Sequence, residues 1–271
     1  MASFWSPAPT LVAGPCVLDT LDVNLVIAER LAEIGTRTGL RVIFKASFDK
    51  ANRSRRGAAR GPGLEAGLVT LAAVRAATGL PVLTDVHEPW QAERAAAIVD
   101  ALQVPAFLCR QTDLLEAVGA TGSPVNIKKG QWVAPESMRG AVDKVRRAGA
   151  SDVVVTERGT AFGYGDLVVD MRSFRRIRAA TGVSVLFDAT HAVQRPGQGP
   201  LGSSGGERAE VPALLRAAAA AGADGFFLET HPAPSQSSSD ADTIWPLAEL
   251  EPLVDDAVAV WHAMRDQMVR S

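Results

Sequence analysis

The sequence predicts an α/β protein, a closed (β/α)8 TIM barrel, from three observations. Short apolar runs alternate with longer amphipathic or Ala/Leu-rich segments along the chain, a pattern typical of strand–helix units in a parallel sheet. Eight such units occur without recurrent hairpin turns, which favours closure into a barrel. The length of 271 residues suits one barrel of about 250 residues, so we expect residues 1–271 to form a single domain.

The strand and helix bounds follow from this alternation. The short apolar runs predict strands over residues 11–16, 41–47, 81–86, 101–104, 125–128, 152–156, 184–187 and 225–229. The longer segments predict helices over residues 21–38, 63–78, 89–98, 113–120, 135–148, 167–180, 211–221 and 250–268. A doubly wound open sheet is the alternative, but the G-x-G-x-x-G turn usual in that fold does not follow the first predicted strand.

Three longer loops interrupt the alternation. Residues 54–62 are rich in Arg and Gly, and residues 194–207 (QRPGQGPLGSSGGE) are rich in Gly, Pro and Ser. Residues 232–243 carry the run Ser-Gln-Ser-Ser-Ser-Asp. Disordered surface loops are one interpretation. In a barrel enzyme, long loops after the second, seventh and eighth strands more often cover the active-site mouth, and we expect that here.

Composition limits the partners and the compartment. The apolar fraction of 47% and the charged fraction of 21% are those of a globular protein with a large core. A net charge of −2 gives no reason to expect nucleic acid or an anionic membrane as a partner. No run approaches the roughly 20 apolar residues of a membrane span, and residues 1–9 lack the features of a signal peptide. Two cysteines, Cys16 and Cys109, suit a reducing compartment, so we expect a cytoplasmic protein.

Polar side chains stand at the carboxyl end of every predicted strand, where barrel enzymes place their catalytic groups. In chain order these residues are Cys16, Lys45 with Ser47, Asp85 with His87, Gln103, Lys128, Arg158, Asp188 with His191, and Glu229 with His231. The strand interiors are apolar. Because the carboxyl ends of parallel strands meet on one rim, these residues indicate a built site rather than chance exposure.

Cations near these strand ends predict an anion-binding site. The segment after the second predicted strand alternates cations with small hydrogen-bonding residues: Lys45, Ser47, Lys50, Asn52, Arg53 and Ser54. Ammonium and guanidinium groups bind oxyanions well. With Arg110, Lys128 and Arg158 the chain has enough cations for two phosphates and a carboxylate. A solvated basic loop is the alternative for the first segment, and an ion pair with a carboxylate such as Glu157 is the alternative for Lys128 and Arg158.

Four residues offer a mixed set of sulfur, nitrogen and oxygen donors that suits a divalent transition metal: Cys16, His191, Glu229 and Asp240. Ordinary alternatives exist for three of them. Cys16 alone would be an inert buried thiol, His191 a core histidine and Glu229 a salt-bridge partner. Spacing does not decide between these interpretations, because the residues come from separate parts of the chain.

Seven motifs resemble those of a known family: residues 45–54 (KASFDKANRS), 60–65 (RGPGLE), 84–89 (TDVHEP), 105–113 (PAFLCRQTD), 126–131 (NIKKGQ), 158–164 (RGTAFGY) and 187–191 (FDATH). In this order they are similar to the motifs of the 3-deoxy-D-manno-octulosonate 8-phosphate synthases, over about residues 12–253. The sister family, the 3-deoxy-D-arabino-heptulosonate 7-phosphate synthases, has a Lys-Pro-Arg-Thr signature where this chain has residues 50–53 (KANR).

The resemblance implies condensation of phosphoenolpyruvate with D-arabinose 5-phosphate and water. The products would be an eight-carbon keto acid phosphate, a lipopolysaccharide precursor, and inorganic phosphate. The resemblance places the phosphoenolpyruvate phosphate at Lys128 and Arg158, with backbone near Ala106. It places the carboxylate and reacting carbon at Lys45, Ser47, Lys50 and Gln103, and the acceptor phosphate at Asn52 and Arg53. Arg110 resembles the family arginine that reaches this phosphate across a subunit interface, which implies a homotetramer.

The family has metal-requiring and metal-independent members, which differ at the position of Cys16. This chain resembles the metal-requiring class, since the other class has Asn there, and His191, Glu229 and Asp240 match the remaining ligand positions. Zn²⁺, Fe²⁺ or Mn²⁺ is the metal expected. Lys50 would stabilise developing charge, and Asp85, His87 and Asp240 are the candidates for proton transfer.

The sequence departs from the family pattern at a few positions and leaves two other functions open. Gly130 and Trp132 stand where the family usually has Pro and Phe, and Ala241 stands where Gly is common. One alternative is a related condensing enzyme with another aldose phosphate, such as erythrose 4-phosphate. The other is a barrel that binds a phosphosugar without turning it over.

Overall fold

Eight parallel strands close into a barrel. The computed structural model describes residues 3–6, 8–53, 57–199 and 204–270. The barrel strands are hydrogen-bonded in chain order, and the eighth pairs with the first, with Gly225 opposite Thr10. They are Thr10–Gly14, Arg41–Lys45, Val82–Asp85, Ala101–Val104, Val125–Lys128, Val153–Glu157, Ser184–Asp188 and Gly225–His231. The predicted (β/α)8 TIM barrel is confirmed.

Helices follow the strands and cover the outside of the barrel: Leu21–Thr38, Leu64–Thr78, Pro89–Ala96, Thr112–Ala120, Met138–Ala148, Ser173–Thr181, Val211–Ala220 and Leu250–Arg270. A further short helix, Ala189–Ala192, lies at the carboxyl end of the barrel instead. The first begins after Thr20, whose side chain accepts a hydrogen bond from the Val23 amide. It ends at Gly39 in the left-handed conformation, which glycine adopts without a steric penalty. These local signals explain why the predicted helix bounds agree closely with the observed ones here.

The core has two apolar layers, one inside the barrel and one between the strands and the helices. The inner layer includes Val12, Ile43, Leu83 and Phe227, and Trp5 packs against it. Trp5 precedes the first strand, and its carbonyl accepts a hydrogen bond from the Thr10 hydroxyl. Apolar side chains fill most of the interior, and the charged side chains Lys45, Asp85 and Lys128 lie at the carboxyl ends of their strands.

The predicted start of the sixth helix, at residue 167, is wrong. The helix spans Ser173–Thr181. Thr160 and Val168 instead exchange two backbone hydrogen bonds of 2.9 Å, so the chain returns alongside the residues that follow Arg158 before the helix begins. The apolar residues Leu167, Val168 and Met171 have the spacing of an amphipathic helix, which led to the wrong prediction. The pairing of Val168 with Thr160 prevents a helix there.

The strand ends and loops also differ from the prediction in detail. The first two strands end at Gly14 and Lys45, and an isolated bridge joins Val17 to Ser47 just beyond them. The loop over residues 194–207 contains a short antiparallel pair, Gln194–Arg195 with Gly205–Gly206. Ser54 and residues 55, 56 and 200–203 of the predicted loops lie outside the described residues. In the part of the chain that the structure describes, no helix is both long and apolar enough to cross a membrane.

Candidate active site

A cavity of about 820 Å³ opens at the carboxyl end of the barrel. Most of the side chains selected from the sequence line it: Lys45, Lys50, Asn52, Arg53, Asp85, His87, Gln103, Ala106, Lys128, Arg158, His191 and Asp240. Cys16, Ser47 and Glu229 are buried beside these residues. The three long loops contribute Ala58, Ser204 and Ser238 to the lining, so each of them reaches the mouth of the barrel.

Cys16, His191, Glu229 and Asp240 come together at one side of this cavity. One ligand atom of each lies within 4.8 Å of the others. The Cys16 Sγ lies 3.2 Å from Asp240 Oδ2, and His191 Nε2 lies 3.5 Å from a Glu229 oxygen. A thiol, an imidazole and two carboxylates are donors that divalent transition metals bind. We refer to these four residues as the metal-ligand cluster.

The Glu229 carboxylate tests whether the cluster fits a metal. Glu229 is 1% exposed, and within the described residues neither of its oxygens has a hydrogen-bond partner. A buried carboxylate without partners is costly, and a bound cation would remove that cost. Burial, and then the Glu229 charge, raise the pKa of the Cys16 thiol, so metal binding would release the thiol proton. The residues therefore fit a divalent metal.

Two residues of the cluster have an uncommon backbone conformation. Cys16 (φ 36°) and Asp240 (φ 53°) are the non-glycine residues with positive φ in the described ranges. Such conformations cost on the order of 1–3 kcal/mol each and persist only where the surroundings impose them. The Ser47 amide donates to the Cys16 carbonyl at 3.1 Å, and the Ile244 amide donates to the Asp240 carbonyl at 2.8 Å. The fold thus holds both residues in place.

Asp188 orients His191 and also binds Lys128. One Asp188 oxygen accepts the His191 amide at 3.0 Å, and the other lies 2.8 Å from His191 Nδ1. With the proton on Nδ1, His191 Nε2 is free to bind a metal. The same oxygen accepts from Lys128 Nζ at 2.5 Å. Burial opposes the charge of Asp188, but His191 and Lys128 hold the pKa of its carboxyl well below the usual range.

Lys128 and Arg158 form a buried cation pair next to the cluster. Lys128 is 6% exposed and Arg158 is 4% exposed. The Lys128 ammonium lies 3.7 Å above the centre of the Phe227 ring. Arg158 donates from one terminal nitrogen to Gln194 at 2.6 Å, while its Nη1 has no partner within the described residues. Burial lowers the pKa of Lys128, and Asp188 opposes this change. The free guanidinium nitrogen fits an anion in the cavity.

The alternative for these cations was an ion pair with a neighbouring carboxylate such as Glu157. Lys128 does pair with a carboxylate, that of Asp188, but Glu157 has a different charge partner. Glu157 accepts the backbone amides of Arg158 and Gly159 at 2.9 and 2.7 Å. Its charge partner is Lys129, at 3.4 Å, and both side chains are almost fully buried. The Lys129 ammonium also donates to the carbonyls of Gly130 and Gly159 at 3.2 and 3.4 Å. This ion pair therefore joins the two backbone segments that carry Lys128 and Arg158.

A second network connects Lys45, Ser47, Asp85 and His87. Lys45 Nζ lies 2.8 Å from Ser47 Oγ and 3.2 Å from Asp85 Oδ1, and the Ser47 hydroxyl donates to Asp85. The other Asp85 oxygen lies 3.0 Å from His87 Nε2. Burial opposes ionisation of Asp85, but Lys45 and His87 hold the pKa of its carboxyl well below the usual range. Asp85 is therefore ionised at neutral pH and fixes His87.

The segment with Asn52 and Arg53 reaches across the cavity to the loop that carries Asp240. Arg53 donates to Ser239 Oγ at 2.9 Å and to the Ser238 carbonyl at 3.1 Å. The Ser239 hydroxyl donates to Asp240 Oδ2 at 2.6 Å. Burial disfavours the ammonium of Lys50, but Cys16 and Glu229 overcome this and raise the pKa of Lys50. Lys50 is therefore a cation beside the metal-ligand cluster.

Two residues from the sequence analysis do not join this site. Arg110 is exposed and lines a separate cavity of about 400 Å³ with Lys144. His231, at the end of the eighth strand, hydrogen-bonds the Ala233 backbone and lies 3.5 Å from Asp19. The sequence analysis missed the contribution of Gln194 and of Lys129. Gln194 lies in a Gly/Pro-rich loop without a local signal, whereas Lys129 directly follows a selected lysine.

The chain is similar over most of its length to known proteins. The sequence model of the DAHP synthetase I family matches residues 7–265. A 2-dehydro-3-deoxyphosphooctonate aldolase of Nitratidesulfovibrio vulgaris (strain DP4) is 53% identical over 251 residues, which cover 93% of this chain and 91% of the relative. Relatives with the same name occur in Rhodopseudomonas palustris, at 54% identity over 90% of this chain and 85% of theirs, and in Xanthomonas euvesicatoria pv. vesicatoria, at 52% over 93% and 92%.

The Lys129–Glu157 ion pair predicts a large effect on stability. The substitution Lys129→Met leaves the Glu157 carboxylate buried without its charge partner, which costs about 3–5 kcal/mol. We expect this loss in the free energy of unfolding measured by urea titration. Lys144→Met is the matched control, since Lys144 donates to Thr112 in an exposed position, and we expect it to change the same quantity by less than about 0.5 kcal/mol. Equal effects of the two substitutions would contradict the role of the pair.

Proposed function

The chain belongs to the DAHP synthetase I family, and from this premise we propose that it acts as a 3-deoxy-D-manno-octulosonate 8-phosphate synthase. The proposed reaction condenses phosphoenolpyruvate with D-arabinose 5-phosphate and water, and it releases inorganic phosphate. The name shared by the curated relatives, 2-dehydro-3-deoxyphosphooctonate aldolase, supports this choice. We propose that the enzyme is cytoplasmic and consists of a single barrel domain over residues 1–271. Its product would be a precursor of lipopolysaccharide.

The observation that carries the proposal is the position of the metal-ligand cluster, with cations on both sides. Asp188 links His191 of the cluster to Lys128. Ser239 links Asp240 of the cluster to Arg53. Two anionic substrates therefore have separate anchors in one cavity. Holding them side by side removes much of the entropic cost of a bimolecular reaction.

The pair Lys128 and Arg158 is the proposed anchor for the phosphoenolpyruvate phosphate. Arg158 Nη1 is buried and, in the described structure, without a partner, so a phosphate oxygen would complete its hydrogen bonding. Backbone near Ala106 is proposed to assist at the cavity wall. The side chains proposed to surround the carboxylate and reacting carbon are Lys45, Ser47, Lys50 and Gln103, of which all but Ser47 line the cavity.

Asn52 and Arg53 are the proposed anchors for the acceptor phosphate. Arg53 now donates to Ser238 and Ser239, and these contacts would be exchanged for phosphate oxygens when the acceptor binds. Arg110 is exposed outside the main cavity. We propose that it acts in the cavity of a neighbouring subunit of a homotetramer.

The reaction joins C3 of phosphoenolpyruvate to the aldehyde carbon of the acceptor while water adds to C2. The phosphate then leaves C2, which becomes the keto carbon. Lys50, the cation beside the metal-ligand cluster, is proposed to stabilise the negative charge that develops on the oxygen of the acceptor aldehyde. Asp85 is ionised and holds His87, which makes His87 the better placed of the two for proton transfer.

A divalent metal held by Cys16, His191, Glu229 and Asp240 would act as a Lewis acid towards the acceptor aldehyde or the attacking water. Zn²⁺, Fe²⁺ and Mn²⁺ are the proposed occupants, since thiolate and imidazole favour transition metals over Mg²⁺ and Ca²⁺. Burial opposes the charge of Asp240, but His191 and Lys50 stabilise it and hold the pKa of this carboxyl well below the usual range. Asp240 is therefore ionised at neutral pH, which suits a metal ligand and not a proton donor.

The choice of acceptor is tested by phosphate release from phosphoenolpyruvate. We expect kcat/KM with D-arabinose 5-phosphate to exceed that with erythrose 4-phosphate by at least about 100-fold, the scale set by hydrogen bonds that only the longer aldose completes. Lys128→Met is the control for background phosphate release. A preference for erythrose 4-phosphate would contradict the proposed acceptor and would instead indicate a 3-deoxy-D-arabino-heptulosonate 7-phosphate synthase. Binding of either aldose without turnover would refute an enzymatic role.

Metal dependence is tested with a chelator and one substitution. We expect the chelated wild-type protein to lose activity and to regain it with Zn²⁺ or Mn²⁺. The Cys16→Asn variant should stay active after chelation, because Asn fills this position in the metal-independent class. Asn also tolerates the positive φ of 36° at this position better than most residues.

The control for this experiment is Cys16→Ala, which removes the sulfur without adding an amide. We expect it to be inactive with or without chelator. If the chelated wild type keeps full activity, the metal-requiring assignment is wrong. If Cys16→Asn needs added metal as the wild type does, residue 16 does not decide metal dependence.

A further inference from the structure

Gln194 bridges the phosphate-binding cation and the metal-ligand cluster. Its side-chain oxygen accepts from Arg158 at 2.6 Å, and its side-chain nitrogen donates to Asp240 Oδ1 at 2.5 Å. Gln194 is 8% exposed. A guanidinium only donates and an ionised carboxylate only accepts, so the charges of the two partners fix the orientation of the amide. The bridge therefore has one arrangement.

The bridge constrains Arg158 at one end. Arg158 is 4% exposed, and its hydrogen bond to Gln194 fixes the plane of the guanidinium. The other terminal nitrogen, Nη1, has no partner within the described ranges. Because the guanidinium is planar, fixing one nitrogen also fixes the direction of the free one. Gln194 therefore sets the direction in which Arg158 Nη1 can donate a hydrogen bond to an anion.

The bridge constrains Asp240 at the other end. Asp240 Oδ2 accepts from Ser239 Oγ at 2.6 Å and lies 3.2 Å from the Cys16 Sγ. Oδ1 has Gln194 as its donor. With a contact on each oxygen, the carboxylate has one orientation towards the other ligands. Loss of the Gln194 contact would leave Oδ1 of Asp240 without this donor, so that only the contacts on Oδ2 would orient the carboxylate.

The backbone of Gln194 is itself fixed against the segment that carries Asp240. Gln194 pairs with Gly206 in the short antiparallel ladder, and the Glu207 amide donates to the Val193 carbonyl at 3.0 Å. A Cβ on Gly206 would lie 2.0 Å from the Thr243 methyl group, so the two segments are in close contact. The Thr243 amide donates to the Asp240 carbonyl at 2.9 Å. The bridge is therefore part of a rigid unit.

We propose that Gln194 is a positioning residue that couples anion binding at Arg158 to metal binding at Asp240, so that each strengthens the other. The proposal rests on the proposed function for the identity of the anion, which is the phosphate of phosphoenolpyruvate. An anion that locks the Arg158 guanidinium also locks Gln194, and through it the Asp240 carboxylate. The effect is reciprocal, because the coupling free energy between two ligands is the same in both directions.

The coupling is measured by titrating Mn²⁺ into the full-length, metal-free protein by calorimetry, with and without saturating phosphoenolpyruvate. In the wild type we expect phosphoenolpyruvate to lower the Kd for Mn²⁺ by about 10-fold, within the usual range of coupling. In Gln194→Leu we expect both ligands to bind but the ratio of the two Kd values to fall to about 1. If Gln194 were only structural, the substitution would weaken the binding of both ligands but would leave the ratio of the two Kd values for Mn²⁺ unchanged.

Two further variants keep the test decisive. Gln194→Asn is one methylene shorter, so it reaches only one partner, and we expect it to lose the coupling even if Gln194→Leu folds poorly. Gln131→Leu is the matched control, because Gln131 is also a buried glutamine in the cavity lining. It should keep the wild-type ratio, since its side-chain oxygen has no hydrogen-bond partner in the described structure.

The outcomes separate this proposal from the proposed function. If the wild type binds both ligands and the Gln194 variants keep its ratio of Kd values, or if the wild type shows no coupling, the bridge proposal is wrong and the function stands. If the wild type does not bind phosphoenolpyruvate, the proposed function fails. The same titration with inorganic phosphate in place of phosphoenolpyruvate then tests the coupling through Gln194, because phosphate offers Arg158 the same kind of charged oxygens.

Discussion

The buried carboxylate of Asp188 connects the metal-ligand cluster to the cation Lys128. It accepts from Lys128 at 2.5 Å and lies 2.8 Å from His191 Nδ1, so one anion positions both the cation that we propose for phosphate binding and a histidine that we propose as a metal ligand. Its side chain is fully buried, and a charge in that position is stable only with such partners. The strand that carries it ends at Asp188 and the next helix begins immediately, which brings His191 back over the rim of the barrel.

The fold tolerates several unfavourable features around this carboxylate. Cys16 and Asp240 have positive φ, Glu229 has two oxygens without a hydrogen-bond partner within the described residues, and Arg158 Nη1 is buried there without a hydrogen-bond partner. Each is costly in the absence of ligands. All of them face the places where we propose a metal and a phosphate, and such features cluster at functional sites. The stability of the barrel comes from elsewhere, from the apolar layers inside and outside the strands.

The sequence predicted the barrel and most of the site because both depend on position along strands. A residue such as Lys128 follows a short apolar run, and parallel topology places all such ends on one rim. Predictions were wrong where pairing within loops decides the structure: the start of the helix at Ser173 depends on the pairing of Thr160 with Val168. Gln194 was missed for the same reason, since its contacts arise only when a long loop returns to the barrel. The charge partner of Lys128 could not be predicted, because the Asp188 that it contacts lies 60 residues away in the chain.

We propose that four residues from distant parts of the chain bind one metal beside the cations Lys128 and Arg158. X-ray absorption at the metal edge of the Zn²⁺-loaded protein tests it most directly, because sulfur and lighter ligands differ in distance and scattering. We expect one metal per chain with a single sulfur at about 2.3 Å and nitrogen or oxygen ligands at about 2.0–2.2 Å. A ligand shell of nitrogen and oxygen alone would contradict it, since Cys16 would then not bind the metal.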